Sequence, residues 1–584
     1  MFELTDEQKD FLNSTGRVVL CACPGSGKTY IAAQKFLSYH DTWDLRHQGI
    51  AVLSFTNVAK EEIISQAKCQ KEGIFEVSYP HFIGTIDSFI NSFILLRFGY
   101  LLMGGKRPTI LRKELFKIPF RWEAECHKNG CTENFQDFRI GEDGKLYKKD
   151  KPILCTGKNG FKAPCIEYKK ILLKAGIVFQ AETAGLSLYL LRKFPSIAKA
   201  LAKRFPVIII DEAQDTSKDQ IKLFDVMYSQ GVDSMFLIGD PDQSIYEWKN
   251  ANPECFLEKI DDSEWQTKYL SHNFRSSQYI CNAVQLFSNY TKDKTPNIAS
   301  GKDKYHPQKP IVILYDKQNR NEGDAINTFI NISSANGIIC DESNVAVVTR
   351  ARINKETDIA GLWKSAECEF FAEACYKFNF GSKREALNLC EKALYGITID
   401  NINNIPSYIE IEVDKKYNYC LWKKLALELL ISMPDYQLEI SEWVKKFVEV
   451  LKQALVLHGI NIRDNLILKD LIKIKSRDQN NPNFKNIPLF NFFETKRLSK
   501  YTLSSVHGVK GESYQSLLLL VPNQKGNTLT PSFLNKGELN TELMRIAYVA
   551  MTRPRKLLAV AMPGTKSQKY LQRFPVDKWE YIFI

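Results

Sequence analysis

The chain has 584 residues, of which 44% are hydrophobic, and this is enough to bury several cores. Its 79 basic side chains outnumber the 67 acidic ones, which permits nucleic-acid binding but is equally expected of a solvated basic surface. No apolar run approaches the roughly 18 residues of a membrane span, and the N-terminus lacks a signal-peptide pattern. We therefore expect a soluble, cytoplasmic protein without a membrane partner. The 14 cysteines are scattered, which favours reduced thiols over a disulfide framework.

A helix start opens the chain, and a phosphate-binding motif follows it. Thr5 is a plausible N-cap, and the amide of Gln8 can both donate and accept, which suits the edge of an adenine. The apolar run at residues 18–20 then predicts a buried strand, followed by a glycine-rich turn and a helix from Lys28. Gly25 and Gly27 allow backbone N–H groups to face phosphate oxygens.

Two side chains at the end of this turn have predicted roles in ATP binding. Lys28 would neutralise the outer phosphates, and the Thr29 hydroxyl would bind Mg²⁺. An ordinary turn before a helix is the alternative, and Ala22 stands where glycine is usual. The predicted loop comprises Ala22, Cys23, Pro24, Gly25, Ser26, Gly27, Lys28 and Thr29.

A second predicted strand, residues 50–55, ends in Phe55 and leads into a helix near Asn57. Ligands bind at this edge of an open α/β sheet, although Phe55 alone is more readily a core residue. Residues 106–170 are basic and irregular and predict an inserted subdomain. Its cysteines and one histidine raise the question of zinc, but their spacing matches no common zinc site and isolated thiols are expected; these residues are Cys126, His127, Cys131, Cys155 and Cys165.

The next decisive stretch is a β-branched run, residues 206–210, that ends in two carboxylates. Asp211 is placed to hold Mg²⁺, and Glu212 to polarise the water that attacks the γ-phosphate. A further strand at residues 235–238 precedes Gln243, which could reach the γ-phosphate. Tyr246 and Trp248 follow and offer aromatic faces for stacking on bases, at about 1–3 kcal/mol per base.

In this order, the motifs resemble those of UvrD/Rep-type superfamily 1 helicases. The resemblance extends from residue 4 to residue 553 and rests on residues 4–8, 22–29, 54–57, 210–215, 239–249, 270–276, 505–512 and 542–553. It implies an α/β fold with two RecA-like P-loop motor domains, each interrupted by a mainly helical insertion. It also implies ATP and Mg²⁺ as cofactors, DNA as the partner, and 3′-to-5′ movement.

The resemblance extends the site. It implies that Phe274 stacks on adenine, that Arg275 and Arg553 approach the γ-phosphate, and that Tyr30 lies beside the base where relatives often have arginine. Ser513 stands where relatives often place a ribose-contacting Glu. The residues implied to contact DNA are Phe55, Asn57, Tyr246, Trp248 and His507.

The predicted domains follow the same pattern. Residues 1–95 and 171–270 form the first motor domain, and residues 96–170 its insertion. Residues 271–400 and 501–584 form the second motor domain, with a short insertion at residues 401–500.

Two functions remain open at this point. The first is an ATP-driven DNA helicase or translocase. The second is an ATP-hydrolysing DNA-end sensor that activates a partner nuclease, because the short second insertion and the early end of the chain resemble compact UvrD-like proteins of prokaryotic antiphage systems such as Gabija. A P-loop kinase or simple ATPase would leave the later motifs unexplained.

Overall fold

The computed structural model describes most of the chain, with gaps. The described residues are 4–71, 77–111, 135–141, 145–148, 151–152, 165–247, 251–290, 297–316, 322–350, 363, 365–380, 383–400, 405, 409–463, 486–497, 500–521, 529–564 and 571–584. They divide into two compact units, one formed by residues 1–353 and 500–584 and the other by residues 354–499. No helix within these ranges is long and apolar enough to cross a membrane.

The first sheet of the larger unit has six strands, and all their pairings are parallel. In chain order the strands are β1 (Arg17–Ala22), β2 (Ile50–Ser54), β3 (Phe82–Thr85), β4 (Val207–Ile210), β5 (Ser234–Gly239) and β6 (Gln266–Leu270). Their spatial order is β6-β1-β5-β4-β2-β3. Because the strands are parallel, the residues that follow β1, β2, β4 and β5 meet at one edge of the sheet.

Helices cover both faces of this sheet, because alternate strand residues point to opposite sides. Val18 and Leu20 pack into one buried cluster, whereas Val19 packs into another. The helices are α1 (Asp6–Asn13), α2 (Lys28–His40), α3 (Asn57–Gln70), Ile86–Phe89, Leu96–Phe98, Thr183–Lys193, Pro195–Arg204, Lys218–Ser229 and Pro253–Ile260, with a π-helix at Ile90–Leu95.

The second sheet is also six-stranded and parallel. Its strands are β7 (Ile311–Tyr315), β8 (Val345–Thr349), β9 (Thr502–Ser505), β10 (Tyr514–Leu520), β11 (Pro554–Pro563) and β12 (Glu580–Phe583), in the spatial order β9-β8-β10-β11-β7-β12. Its helices are Gln278–Val284, Glu322–Ala335, Pro531–Lys536 and Glu542–Met551. Two short strands lie in the part of the chain that connects the two sheets, and they pair in parallel: His272–Asn273 and Ile298–Ala299.

The first insertion follows the helical run after β3. Its described part contains short strands, which differs from the prediction of a mainly helical segment. Its described part contains the helix Cys165–Lys174 and five short strands: Thr109–Leu111, Phe138–Ile140, Leu146–Lys148, Lys151–Pro152 and Ile177–Phe179. Strands of two or three residues are too short to leave a periodic pattern in the sequence. Of the residues considered for zinc, Cys165 is buried, and the others lie outside the described residues. The described residues hold no cluster of metal-binding side chains.

The smaller unit is helical and has its own apolar core. Trp422 and Trp443 are fully buried in it. Its helices are Ala366–Phe380, Lys383–Thr398, Ile409–Asp414, Tyr419–Ser432, Ile440–Leu457 and Leu489–Arg497. The sequence places the start of the second insertion at residue 401, whereas the first two of these helices precede that residue and belong to the same core.

One histidine of the first sheet predicts a dependence of stability on pH. The N–H of Ile50 donates to His81 Nδ1 at 3.2 Å, so that nitrogen must be unprotonated. Burial, His40 and Arg204 lower the pKa of His81 from 6.5 to about 4. Between these values the unfolded chain takes up a proton that the folded chain refuses, so the free energy of unfolding falls as the pH falls through this range.

Replacing His81 with asparagine tests this dependence, because the amide oxygen keeps the acceptor but does not titrate. We expect the melting temperature of the wild type to drop by about 2 °C more than that of His81→Asn between pH 7 and pH 5, after allowance for the partial exposure of the ring. Differential scanning calorimetry at both pH values measures it. Parallel pH profiles for the two proteins would contradict the assignment.

Candidate nucleotide-binding site

The turn between β1 and α2 has the backbone of a phosphate-binding loop. Gly25 and Gly27 have φ angles of +72° and +82°, a region that side chains disfavour. A Cβ on Gly25 would lie 2.4 Å from Asn273 Oδ1 and 2.8 Å from Arg275 Cβ. Gly25 is therefore required both by its conformation and by the close approach of the chain that leads to the second sheet.

Lys28 lies inside this loop, at the start of α2. Its side chain is buried, and Nζ donates to the carbonyl oxygens of Ala22 at 3.4 Å and Cys23 at 3.3 Å. Asp240 Oδ2 is 3.8 Å away and supplies the counter-charge. A buried ammonium group at the mouth of a glycine-rich turn is suited to neutralise a phosphate.

The two predicted metal ligands, Thr29 and Asp211, meet at the carboxyl edge of the sheet. Thr29 Oγ1 donates to Asp211 Oδ2 at 3.1 Å. Burial and the neighbouring Glu212 raise the pKa of Asp211 to about 7. A cation beside this carboxyl group would stabilise its ionised form. A hydroxyl and a carboxylate are hard oxygen donors of the kind that Mg²⁺ takes together with phosphate oxygens, so this pair fits the ion.

Glu212 adopts a left-handed conformation with φ of +55°, which is unusual for a residue with a side chain. Its N–H donates to Asp211 Oδ1 at 2.9 Å, and the amide of Gln214 donates to its carboxylate. Burial acts to raise the pKa of Glu212, but the charges of Lys510, Lys28 and Arg553 outweigh it and hold the pKa below its usual value. Glu212 is therefore an ionised carboxylate, as a general base requires.

Gln243 connects the first sheet to an arginine of the second. Its Nε2 donates to Asp240 Oδ2 at 2.5 Å, and its Oε1 accepts from Arg553 Nη2 at 2.6 Å. Asp240 is fully buried, and burial raises its pKa to about 6 although Lys28 opposes the shift. The amide of Gln243 is thus held between a carboxylate of one sheet and a guanidinium of the other.

A second arginine, Arg275, lies in the same region. Its Nε donates to Ser513 Oγ at 2.7 Å, and its Nη1 donates to the carbonyl oxygen of Thr552 at 3.2 Å. Burial, Arg553 and Arg555 lower the pKa of Arg275 to about 9. The half-buried guanidinium of Arg275 and the buried one of Arg553, whose charge disfavours that of Arg275, together form a site for a polyanion. Ser513, a departure from the helicase pattern, thus orients the arginine here.

The residues predicted to contact the base border the loop. Gln8 is buried, completes a capping box with Thr5, and donates from Nε2 to the carbonyl oxygen of Ser26 at 3.4 Å. The hydroxyl of Tyr30 accepts from Gln34 Nε2 at 3.0 Å. The ring of Phe274 stacks on His272, and its N–H donates to the carbonyl oxygen of Gly25 at 2.9 Å.

A group of aromatic rings lies beside the residues that are predicted to bind the nucleotide. The rings of Phe55 and Tyr246 are 5.2 Å apart and inclined by 31°, and His507 lies 5.8 Å beyond Tyr246. Asn57 begins α3, which Thr56 caps. Trp248 falls outside the described residues. Three of the five residues predicted to contact DNA therefore form one aromatic row.

Lys510 and Asp215 are functional candidates that the sequence analysis did not identify. Lys510 Nζ donates to the carboxylate of Asp215 and to the carbonyl oxygen of Gln243, the latter at 3.0 Å. The same ammonium group lies 4.6 Å from the centre of the Tyr246 ring. Lys510 thus contacts both Gln243, which is predicted to lie at the γ-phosphate, and Tyr246 of the aromatic row. Its only sequence signal is its place in the motif at residues 505–512.

Comparison with known proteins shows which proteins this chain is similar to. The profile of the UvrD/REP helicase N-terminal domain matches residues 4–115 and 156–264. The chain is also 24% identical over 551 residues to the ATP-dependent DNA helicase Rep of Buchnera aphidicola subsp. Acyrthosiphon pisum, covering 90% of this chain and 78% of Rep. This chain is thus similar to the UvrD/REP helicase N-terminal domain over its first part and to the helicase Rep over most of its length.

Two further relatives match over shorter stretches. The Gabija protein GajB of Bacillus cereus (strain VD045) is 31% identical over 292 residues, which is 49% of each chain. The RecBCD enzyme subunit RecB of Buchnera aphidicola subsp. Schizaphis graminum is 24% identical over 401 residues, or 58% of this chain and 32% of RecB. The alignments thus span about half of GajB and about a third of RecB.

Proposed function

We propose that this chain is an ATP-dependent DNA helicase or translocase that moves 3′-to-5′ along single-stranded DNA. The two parallel sheets are its two RecA-like motor domains, and residues 354–499 are the insertion in the second. The observation that carries the proposal is the contact of Arg553 with Gln243, which joins the two sheets beside Lys28 and Asp240.

Hydrolysis in this proposal uses residues of both sheets. Lys28 neutralises the outer phosphates, and Glu212 accepts a proton from the attacking water. Thr29 and Asp211 would hold Mg²⁺, which when bound would neutralise charge on the phosphate oxygens. Arg275 and Arg553 stabilise the charge that develops on the transferred phosphoryl group.

Coupling to DNA follows from the contacts of Lys510. A change at the γ-phosphate that moves Gln243 also moves the carbonyl oxygen that Lys510 contacts. Because Lys510 lies over the ring of Tyr246, the grip of the aromatic row on a stacked base changes with the nucleotide. The direction of movement rests on the family resemblance.

A second candidate is an ATP-hydrolysing DNA-end sensor that activates a partner nuclease. The specific observation in its favour is the similarity to GajB and to RecB, the latter described as a subunit of an enzyme. In this case ATP hydrolysis again depends on DNA, but the isolated chain separates strands poorly.

The rate of ATP hydrolysis with and without single-stranded DNA tests both proposals. We expect DNA to raise the rate at least about 10-fold, and Glu212→Gln to lower the stimulated rate by about 10²- to 10³-fold through loss of the general base. A rate indifferent to DNA would contradict the motor. Strand displacement on duplexes with a 3′ or a 5′ tail then separates the candidates: robust unwinding from the 3′ tail by the isolated chain would exclude the sensor.

A further inference from the structure

A buried lysine in α2 has no role in the hydrolysis described above. Lys35 is 1% exposed, and its Nζ donates to the carbonyl oxygens of Leu12 at 2.7 Å, Ser14 at 2.6 Å and Phe11 at 3.4 Å. Among the described residues no carboxylate forms an ion pair with it. Its hydrogen-bond partners are therefore backbone carbonyl groups.

Aromatic rings surround the rest of this ammonium group. The ring centres of Phe236, Tyr39 and Phe11 lie 4.4, 5.3 and 5.7 Å from Nζ. Their π-electrons partly stabilise the cation. Burial nevertheless lowers the pKa of Lys35 to about 8, so the charge is held at a cost.

The three carbonyl groups lie at the C-terminal end of α1 and just beyond it. Carbonyl groups at a helix end lack the N–H partner they would have in the helix interior, although that of Phe11 also accepts from the N–H of Ser14 at 3.2 Å and from its hydroxyl at 2.6 Å. A cation at this end interacts favourably with the helix dipole. Lys35 thus fastens α1 to α2. Helix α1 carries Gln8, which is predicted to contact the adenine base, and α2 begins with Lys28, which is predicted to contact the phosphates. The side chain of Lys35 therefore links the two helices that carry these residues.

The other end of α1 is also fixed. Gln8 Nε2 lies 3.4 Å from the carbonyl oxygen of Ser26, in the phosphate loop. Glu7 accepts from the Ser271 N–H at 2.8 Å and from its hydroxyl at 2.5 Å, three residues before Phe274. With Lys35 at its C-terminal end, α1 is therefore attached at both ends, on one side to the phosphate loop and to the segment before Phe274 and on the other to α2.

We propose that Lys35 is a positioning residue for purine recognition: by clamping the C-terminal end of α1, it holds Gln8 in register with the phosphate loop. This inference rests on the proposed use of ATP. It differs from a purely structural role, since a neutral side chain of similar length would fill the same space without the cost of a buried charge.

Nucleotide affinity and base preference test this role. We expect Lys35→Met to weaken ATP binding about 10-fold or more, to leave the maximal hydrolysis rate within about 3-fold, and to reduce the preference for ATP over GTP. Lys35→Arg, which keeps the charge and the donors, should recover most of the affinity and preference. Affinity is measured by competition against a fluorescent ATP analogue, alongside KM, kcat and melting temperature.

Lys169→Met is the matched control, because Lys169 is a buried lysine of the first insertion that lies 4.6 Å from the ring centres of Phe135 and Phe179. It should lower the melting temperature without changing ATP affinity or the ATP-to-GTP ratio. If Lys35→Met does not fold, Lys35→Gln replaces it as a second neutral variant, and failure of both would overturn the proposal.

Two further outcomes separate this inference from the proposed motor. A folded Lys35→Met with unchanged affinity and an unchanged ATP-to-GTP ratio would overturn the role of Lys35 while leaving the motor intact. A wild type that binds ATP in the competition assay but hydrolyses none would contradict the motor and still allow the Lys35 comparison. A wild type that binds no nucleotide would overturn both.

Discussion

Lys28→Ala is expected to lower ATP turnover by about 10³-fold, because it removes the ammonium group that the phosphate loop encloses. Lys28 Nζ is held by two loop carbonyl groups and faces Asp240, which fixes its ammonium group inside the loop. Removing it also leaves Asp240 buried without its counter-charge. The measurement is steady-state ATP hydrolysis with saturating single-stranded DNA.

Lys203→Ala provides the matched control for this variant. Lys203 is exposed on the last turn of the helix Pro195–Arg204, so its removal should leave turnover unchanged. A melting curve establishes that Lys28→Ala is folded. Turnover by a folded Lys28→Ala at the wild-type rate would refute the phosphate site.

The second large effect is expected for Arg553→Ala. Arg553 is 2% exposed and donates to Gln243 Oε1 across the two sheets, where the γ-phosphate is expected to bind. Loss of such an arginine lowers phosphoryl transfer by about 10³-fold or more in related chemistry. We expect a comparable loss of turnover with a much smaller change in ATP affinity, because the arginine acts mainly on the transition state.

Arg553→Lys completes this test. Lysine keeps the charge but loses the planar fork that contacts Gln243 and the Thr552 hydroxyl together, so only part of the rate should return. Single-turnover hydrolysis and equilibrium ATP binding measure the two effects separately. Equal losses of ATP binding and turnover in Arg553→Ala would assign the residue to binding rather than to hydrolysis.

The central strands of the first sheet could be predicted from the sequence, whereas most of the edge strands of the two sheets could not. Apolar runs predicted β1, β2, β4 and β5, which are buried on both faces. Three edge strands went unpredicted: β6, β9 and β12. Edge strands are partly exposed and here carry polar residues, so they leave no apolar run.

Some contacts of the candidate site could likewise be predicted from the sequence, and others could not. Thr29 and Asp211 could be placed together, since both follow parallel strands whose carboxyl ends share one edge. The contact of Gln243 with Arg553 joins residues 310 positions apart and depends on how the two sheets pack. Lys510 could not be assigned for the same reason, because its partners Asp215 and Tyr246 lie on the other sheet's connections. Only the helicase resemblance predicted that the two regions share a site.

The chain that leaves the first sheet is attached to the phosphate loop rather than hanging free. The N–H of Cys23 donates to the carbonyl oxygen of Leu270, and the N–H of Phe274 donates to that of Gly25, each at 2.9 Å. Asn273 Oδ1 accepts from the N–H groups of Arg275 and Ser276 at 2.8 and 3.0 Å and stiffens the next turn. A flexible linker would absorb a displacement of the second sheet, whereas a linker that is hydrogen-bonded to the phosphate loop transmits it. In the proposed motor, tension on the DNA would therefore reach the loop as strain, and the grip on nucleotide would depend on the opposing load.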